Sequence, residues 1–292
     1  MRKIKEFDCL VSVGICTYNQ KKLCKNLVDA ILKYGPEDIR IFIWDNKPDQ
    51  PNFLGELGKD RRIEIIEDET NSGYIIPNNR MATACKSQYH IVANDDVVVG
   101  PGWFDPLIKE FDDSKVACVG PTGFFGVIDN GFNGQSPKGS QKQEYIEGWW
   151  MVFPRHIIER YGWVFDEENL RVATSEDSHM CLLLQEHGWK IKVLEGLPIK
   201  HLESVTKKSL DIQNWCDENK EWLKKRWNLY LKNRSFPQHR ILVKGKNVSK
   251  KKLKEIRWKY PHSHITLQLS KDNVDDIVWD DKDDDGKYSM EI

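Results

Sequence analysis

The triplet Asn94-Asp95-Asp96 places two adjacent carboxylates directly after the apolar run YHIVA and directly before VVVGPGWF. Side-by-side carboxylates are costly to hold at an apolar strand end unless something positive sits beside them. A hard divalent ion such as Mg²⁺ or Mn²⁺ takes such oxygen ligands and commonly holds phosphate oxygens as well. A polar turn after a strand is the alternative reading of the same residues. Polar groups close other apolar runs too: Thr17-Tyr18-Asn19 follows CLVSVGIC, and Asp45-Asn46 follows IRIFIW. A second acidic pair, Glu176-Asp177, opens SEDSHMCLLLQEHG, where a Ser-x-x-Ser cap and an acidic first turn predict a helix start.

Elements must position these residues. Residues 9–16, 39–45, 61–68 and 88–95 read as strands, with helices at 21–34 and 77–87 between them. In the first helix Leu23, Leu27, Ile31 and Tyr34 share a face, and Gly35-Pro36 stops it. This alternation predicts an α/β fold with a largely parallel sheet covered on both faces. Ligands of such sheets bind beyond the carboxyl ends of the strands, where Thr17, Asp45 and the 94–96 triplet fall. Residues 120–143, with six glycines and two prolines, predict a long mobile loop that closes over a ligand. A strand and short helix follow within 144–168, a helix and strand within 175–194, and an amphipathic helix at 209–233. Its Trp215, Trp222 and Trp227, like Trp103, read as core. After Pro237 come a strand, the basic stretch SKKKLKEIRWK at 249–259, another strand and an acidic tail.

Four segments kept in order over roughly residues 9–235 resemble the family-two glycosyltransferases: VSVGICTYNQ, IWDNKPDQ, NSGYIIPNNRMATACKSQYHIVANDDVVVGPGWF and SEDSHMCLLLQEHGWKIKVLEGLPIKHLESVT. The resemblance implies a GT-A (nucleotide-diphospho-sugar transferase) fold, Rossmann-like with a mostly parallel sheet. It also implies inverting transfer from a nucleotide-diphosphate sugar, foremost a UDP-sugar, to an acceptor hydroxyl, assisted by Mn²⁺ or Mg²⁺. Under it, Thr17, Tyr18, Asn19 and Asp45 line the nucleotide base, Asp45 accepting a pyrimidine N3–H and Tyr18 stacking. Asn71, Gly73, Asn79 and Arg80 fall in the segment that approaches the nucleotide, where the common Arg-Asn of the family reads Asn78-Asn79-Arg80. The 94–96 triplet stands in the DxD-type position with Asn first: Asn94 toward the ribose, Asp95 toward ribose or metal, Asp96 chiefly toward metal. Glu176 and Asp177 correspond to the Glu-Asp pair, Asp177 as the general base and Glu176 holding the acceptor. His201, after LPIK, corresponds to a closing histidine and reads as a third metal ligand, a diphosphate contact or a structural residue. Trp149 and Trp150 follow Gly148 near the transferred sugar, with core packing as the alternative.

These readings divide the chain into a catalytic domain at 1–206, a helical extension at 207–235 and a small strand–helix–strand appendage at 236–292. The 292 residues are 39% hydrophobic and 30% charged, which suits a folded chain. Lys and Arg number 44 against 45 Asp and Glu, so nothing global draws the chain to nucleic acid or an anionic membrane. No apolar run approaches ~18 residues, which predicts no transmembrane segment. The N-terminus reads as a first strand, not a signal peptide. Seven cysteines, scattered and never spaced CxxC, argue against a disulfide framework and for a cytoplasmic setting. The expected partners are a nucleotide-sugar donor and an acceptor glycan or other hydroxyl-bearing molecule, a modified DNA base included, with 249–259 the one patch suited to phosphates. A non-catalytic sugar-nucleotide-binding protein is the alternative, supported by Asn94. A nucleotidyltransferase would need a glycine-rich, basic phosphate loop that GICTYNQKK lacks.

Overall fold

The computed structural model describes residues 9–48, 54–84, 86–124, 145–202, 213–231, 240–244, 264–268, 277–280 and 290–291. The chain divides into two compact units, Met1–Lys225 and Arg226–Ile292. In the first unit β1 (Val11–Thr17), α1 (Lys21–Tyr34), β2 (Ile39–Asn46), β3 (Ile63–Asp68), α2 (Ile75–Ala84) and β4 (Tyr89–Asn94) alternate. Then follow β5 (Val97–Val99), α3 (Phe104–Lys109), β6 (Val116–Gly120), β7 (Gly123–Phe124), β8 (Tyr145–Ile146) and β9 (Trp150–Pro154). Helices α4 (Arg155–Tyr161) and α5 (Glu176–Glu186), strands β10 (Lys190–Val193) and β11 (Ile199–His201), and α6 (Gln213–Leu231) complete it, α6 running on past Lys225.

Seven strands form one sheet in the order β10-β6-β9-β4-β1-β2-β3. β1 to β4 run parallel, as does the β6–β10 pair, while β9 runs antiparallel to β4 and β6. Every residue of β1 is buried, which is why it reads as an unbroken apolar run and not an alternating one. The helix α1 lays Cys24, Leu27, Val28 and Ile31 onto the core that β1, β2 and β4 share. Trp103 and Trp150 meet edge to face at 5.3 Å within it. Two short ladders sit beside the main sheet, β5 with β11 and β7 with β8, both antiparallel. The reversed β9 brings Gly148 and Trp149 to the end of the sheet where β4 finishes, and Asn94 N–H donates to the Trp149 carbonyl at 3.0 Å.

Two expectations change. Ser175 precedes α5 with φ 69° and makes no side-chain cap, because its left-handed backbone turns the chain sharply into the helix. Trp215 is 40% exposed and lies outside the core, whereas Trp227 is buried. The expected mostly parallel sheet is present, with one antiparallel strand, β9, between β6 and β4. Five of the six described cysteines are buried and none of the six is joined in a disulfide; Cys85 lies outside the described residues.

The second unit holds a four-stranded sheet in the order β13-β12-β14-β15: β12 (Arg240–Lys244) lies parallel to β13 (His264–Gln268) and antiparallel to β14 (Ile277–Asp280), which pairs with β15 (Met290–Glu291). The basic stretch 249–259, residues 281–289 of the acidic tail and most of the 120–143 loop lie outside the described residues. Among the described residues no helix is long and apolar enough to cross a membrane.

Candidate active site

A cleft of about 720 Å³ opens at the carboxyl ends of β1, β2 and β4. Of the residues singled out in the sequence, it gathers Thr17, Tyr18, Asn71, Gly73, Asn94, Asp95, Asp96, Trp149, Glu176, Asp177 and His201.

Its floor is the turn after β4. Thr17 at the end of β1 donates to Asp95 Oδ2 at 2.7 Å. Burial pushes the Asp95 carboxyl up to about 7; the Thr17 hydrogen bond opposes that shift and the charge of Asp96 adds to it. Asp95 is thus turned to β1 and held there. Asp96 faces the other way. The β5–β11 ladder places His201 opposite Val97, and the Leu202 N–H donates to the Asp96 carbonyl at 3.0 Å. His201 Nε2 consequently lies 2.9 Å from Asp96 Oδ1, out of line for a hydrogen bond, and 3.2 Å from Asn94 Nδ2. The imidazole also stacks flat on Trp149, with centroids 5.1 Å apart and planes 8° apart. Trp149 is fixed in turn by its Nε1–H to Glu147 Oε2 at 3.1 Å, and Thr122 donates to the same oxygen at 2.6 Å.

Asp96 Oδ1 and His201 Nε2 are two donor atoms converging on one point. Cis ligands of an octahedral cation at ~2.1 Å each stand about 3.0 Å apart, so this pair fits a divalent ion. Among the described residues no cluster of three or more His, Cys, Asp or Glu suited to a metal occurs. The pair therefore suits an ion that completes its shell with substrate oxygens and water.

The cleft also carries the second acidic pair. Gly148 N–H donates to Asp177 Oδ2 at 2.9 Å and Ser178 N–H to Oδ1 at 2.6 Å. Gly148 is needed for this approach: a Cβ there would stand 3.1 Å from Asp177 Cβ and 3.2 Å from its Oδ2. Tyr74, whose hydroxyl burial pushes well up, donates to the Gly148 carbonyl at 2.8 Å. Glu176 is buried beside it. Gly73 adopts φ +79°, and a Cβ there would lie 2.6 Å from the Val172 carbonyl, so only glycine lets 71–75 close against 172.

Four expected residues are placed elsewhere. Asn79 is saturated by the backbone of Val164 and Phe165 and by Glu167. Arg80 pairs with Glu167 through both terminal nitrogens, at 3.0 and 3.2 Å. Asn19 takes φ 54° in the turn between β1 and α1. Asp45 is fully buried in β2 with neither oxygen hydrogen-bonded, and burial, with the charge of Glu67, pushes it up to about 6. Its neighbour Asn46 reaches the cleft instead and bonds the Gly73 carbonyl and the Ser72 N–H. Glu147, Tyr74 and Thr122 are cleft residues that motif reading passes over, although Tyr74 adjoins Gly73 and Glu147 adjoins Gly148; Asn46, marked with Asp45 as a polar strand end, lines the cleft.

An α/β sheet with a polar cleft beyond its parallel strands, two acidic pairs and a cation-fitting Asp–His couple define a nucleotide-type binding enzyme fold. Residues 12–166 match glycosyl transferase family 2, and the chain belongs to that family. It is 23% identical over 256 residues to an uncharacterised protein of Sinorhizobium fredii, covering 76% of this chain and 28% of that one. It is 28% identical over 102 residues to an uncharacterised glycosyltransferase of Haemophilus influenzae, covering 34% of this chain and 32% of that one. The chain thus spans about a third or less of the length of these relatives. Among solved structures it is similar to GalNAc-T7 with UDP, GalNAc and Mn²⁺, with a TM-score of 0.59, 14% identity, and coverage of 87% of this chain and 55% of that one. It is also similar to a mannosyltransferase from Pyrobaculum calidifontis in complex with GDP-Man and Mn²⁺, with a TM-score of 0.55, 14% identity, and coverage of 78% and 71%. These neighbours are GT-A glycosyltransferases, and this chain has their fold.

Proposed function

We propose that this chain transfers a sugar from a nucleotide-diphosphate donor to an acceptor hydroxyl with inversion, Asp177 acting as general base. The carrying observation is the Asp177 carboxylate, held by two backbone N–H groups in the same cleft as Asp96 and His201. Two N–H bonds, with the Ser178 hydroxyl 3.2 Å from Oδ1, stabilise the ionised form and fix its orientation, and the ionised form is the one a general base requires. Asp177 would accept the acceptor's O–H proton as that oxygen bonds the anomeric carbon. The bond from that carbon to the diphosphate oxygen breaks on the opposite face, and the electron pair leaves with the diphosphate.

Asp96 and His201 would hold Mn²⁺ or Mg²⁺, which supplies positive charge to the leaving diphosphate. Thr17 and Asp95 shape the floor beneath it, and Tyr18 offers a ring to the nucleobase. Trp149, stacked on His201, lines the cleft and would lie near the sugar. UDP and GDP are the nucleotides of the two structural neighbours, and a UDP-sugar remains the first donor to test. An acceptor glycan is the partner class that the proposal favours.

The test is a panel of UDP- and GDP-sugars scored by Mn²⁺-dependent thermal shift, followed by turnover with the stabilising donor. Asp177→Asn should lower turnover at least about 100-fold and leave donor affinity within about twofold. Equal turnover in wild type and variant would remove Asp177 from the base role. Donor binding without turnover in the wild type would favour the non-catalytic sugar-nucleotide-binding reading.

A further inference from the structure

The wall of the cleft that leads into Glu176 and Asp177 has an unusual backbone. Val172, Thr174 and Ser175 take φ of 55°, 78° and 69°, all in the left-handed region. None is glycine, and for the β-branched Val172 and Thr174 this conformation is a genuine outlier that surrounding structure must enforce. Val172, Ala173 and Thr174 line the cleft. The Val172 carbonyl accepts from Tyr74 N–H at 2.7 Å and Ile75 N–H at 3.2 Å, so the segment is locked on one side to the start of α2.

On its other side the lock is one side chain. Asn219, in the middle of α6 and 1% exposed, places Nδ2 2.9 Å from the carbonyls of Arg171, Ala173 and Thr174. Its Oδ1 accepts from the Arg171 N–H at 2.9 Å, which fixes which end of the amide is oxygen, since a backbone N–H can only donate. Two amide hydrogens shared among three carbonyls can be satisfied only if those carbonyls point inward together. That is what the left-handed residues accomplish. Trp222, three positions on and on the same helical face, packs edge-on against His179 in the second turn of α5 at 5.0 Å. Helix α6 thus grips both the approach to α5 and α5 itself.

We propose that Asn219 is a positioning residue for the reaction: its amide holds the strained 171–175 segment in the one conformation that sets Glu176 and Asp177 at the cleft. It touches no reacting atom and acts through three residues of backbone. The claim about the segment stands on the geometry alone, and only its catalytic consequence rests on the glycosyl-transfer reading.

The test uses the full chain with Asn219→Ala, and Asn219→Asp as the variant that keeps size and the Oδ1 acceptor but removes the amide hydrogens. Hydrogen exchange at residues 171–177 should quicken at least tenfold in both, with β1 to β4 unchanged. Mn²⁺-dependent hydrolysis of UDP-GalNAc and GDP-mannose, with water as acceptor, should lose about tenfold in kcat. The KM for the sugar nucleotide and the calorimetric Kd for UDP with Mn²⁺ should stay within twofold. The kcat loss should vanish when Asn219→Ala is made in an Asp177→Asn background, because residues acting as one unit are non-additive. Unchanged exchange at 171–177 overturns the proposal, as does an equal kcat loss in both backgrounds. If neither donor is hydrolysed, or Asp177→Asn keeps full kcat, the base assignment fails instead, and the exchange result alone decides the role of Asn219.

Discussion

Gly148 shows how narrow the tolerance around Asp177 is, because the absent Cβ is what lets the backbone N–H reach the carboxylate. Ala there would require Asp177 to give by a few tenths of an ångström, since 3.1 Å to its Cβ is tighter than ordinary contact. Gly148→Ala should lower kcat about tenfold at an unchanged donor KM, measured by steady-state turnover. Away from the cleft, His90 forms a buried pair with Ser12, Nδ1 to Oγ at 2.8 Å. Burial, with the charge of Arg155, pushes its imidazole down to about 3. The unfolded chain therefore binds a proton at this residue between its ordinary pKa near ~6.5 and about 3, and the folded chain does not, so stability falls as pH falls through that window. The limiting slope is about 1.4 kcal/mol per pH unit. Denaturant unfolding of His90→Asn from pH 7 to pH 4 should show a shallower decline than wild type. An identical pH slope would mean His90 is protonated in the fold.

At the scale of elements, the pairing of β5 with β11 brings Asp96 and His201 together across a sequence separation that no local pattern records. Leu202 is 51% exposed, so Leu202→Pro sacrifices little packing while deleting the N–H that holds the Asp96 carbonyl. It should weaken Mn²⁺-dependent nucleotide affinity about tenfold, by calorimetry, with Leu202→Ala near wild type. Sequence reading finds α1 and the strands of the parallel half because buried strands are uniformly apolar and their polar C-terminal residues mark the ligand end. Asp95 and Asp96 stand in the cleft for the same reason, and Glu176 and Asp177 reach it from the acidic first turn of α5. Asn46 lines the cleft and its neighbour Asp45 is buried, because alternate residues of a strand face opposite sides. Asn79 and Arg80 are lost to Glu167, and Asn219 is missed, because their partners lie far along the chain. The reversal of β9 leaves no trace in an apolar run that either direction would satisfy.

At the scale of the whole molecule, α6 joins the first unit by what its residues hold, although it falls beyond the family match at 12–166 and the expected domain end at 206. A chain ending after Leu231 keeps Asn219 and Trp222 and should retain Mn²⁺-dependent stabilisation by UDP. A chain ending at 206 should melt lower and expose 171–177 to proteolysis; equal melting of the two would remove α6 from the catalytic unit. The cleft has a property of its own when its charges are taken together. Among the described residues, five carboxyl groups line it, those of Asp95, Asp96, Glu147, Glu176 and Asp177, against one lysine, Lys200. A nucleotide diphosphate arriving bare meets a repulsive field, and mobile salt, with a screening length of about 10 Å at 0.1 M, weakens that field. With chelator present, UDP affinity should therefore rise as potassium chloride is added, and with Mn²⁺ present it should not. On the proposed reading, the acidic lining would make the cleft a filter by net charge: nucleotide that arrives ion-paired would be taken over the free anion, and the surrounding divalent-ion level would set how much donor is bound.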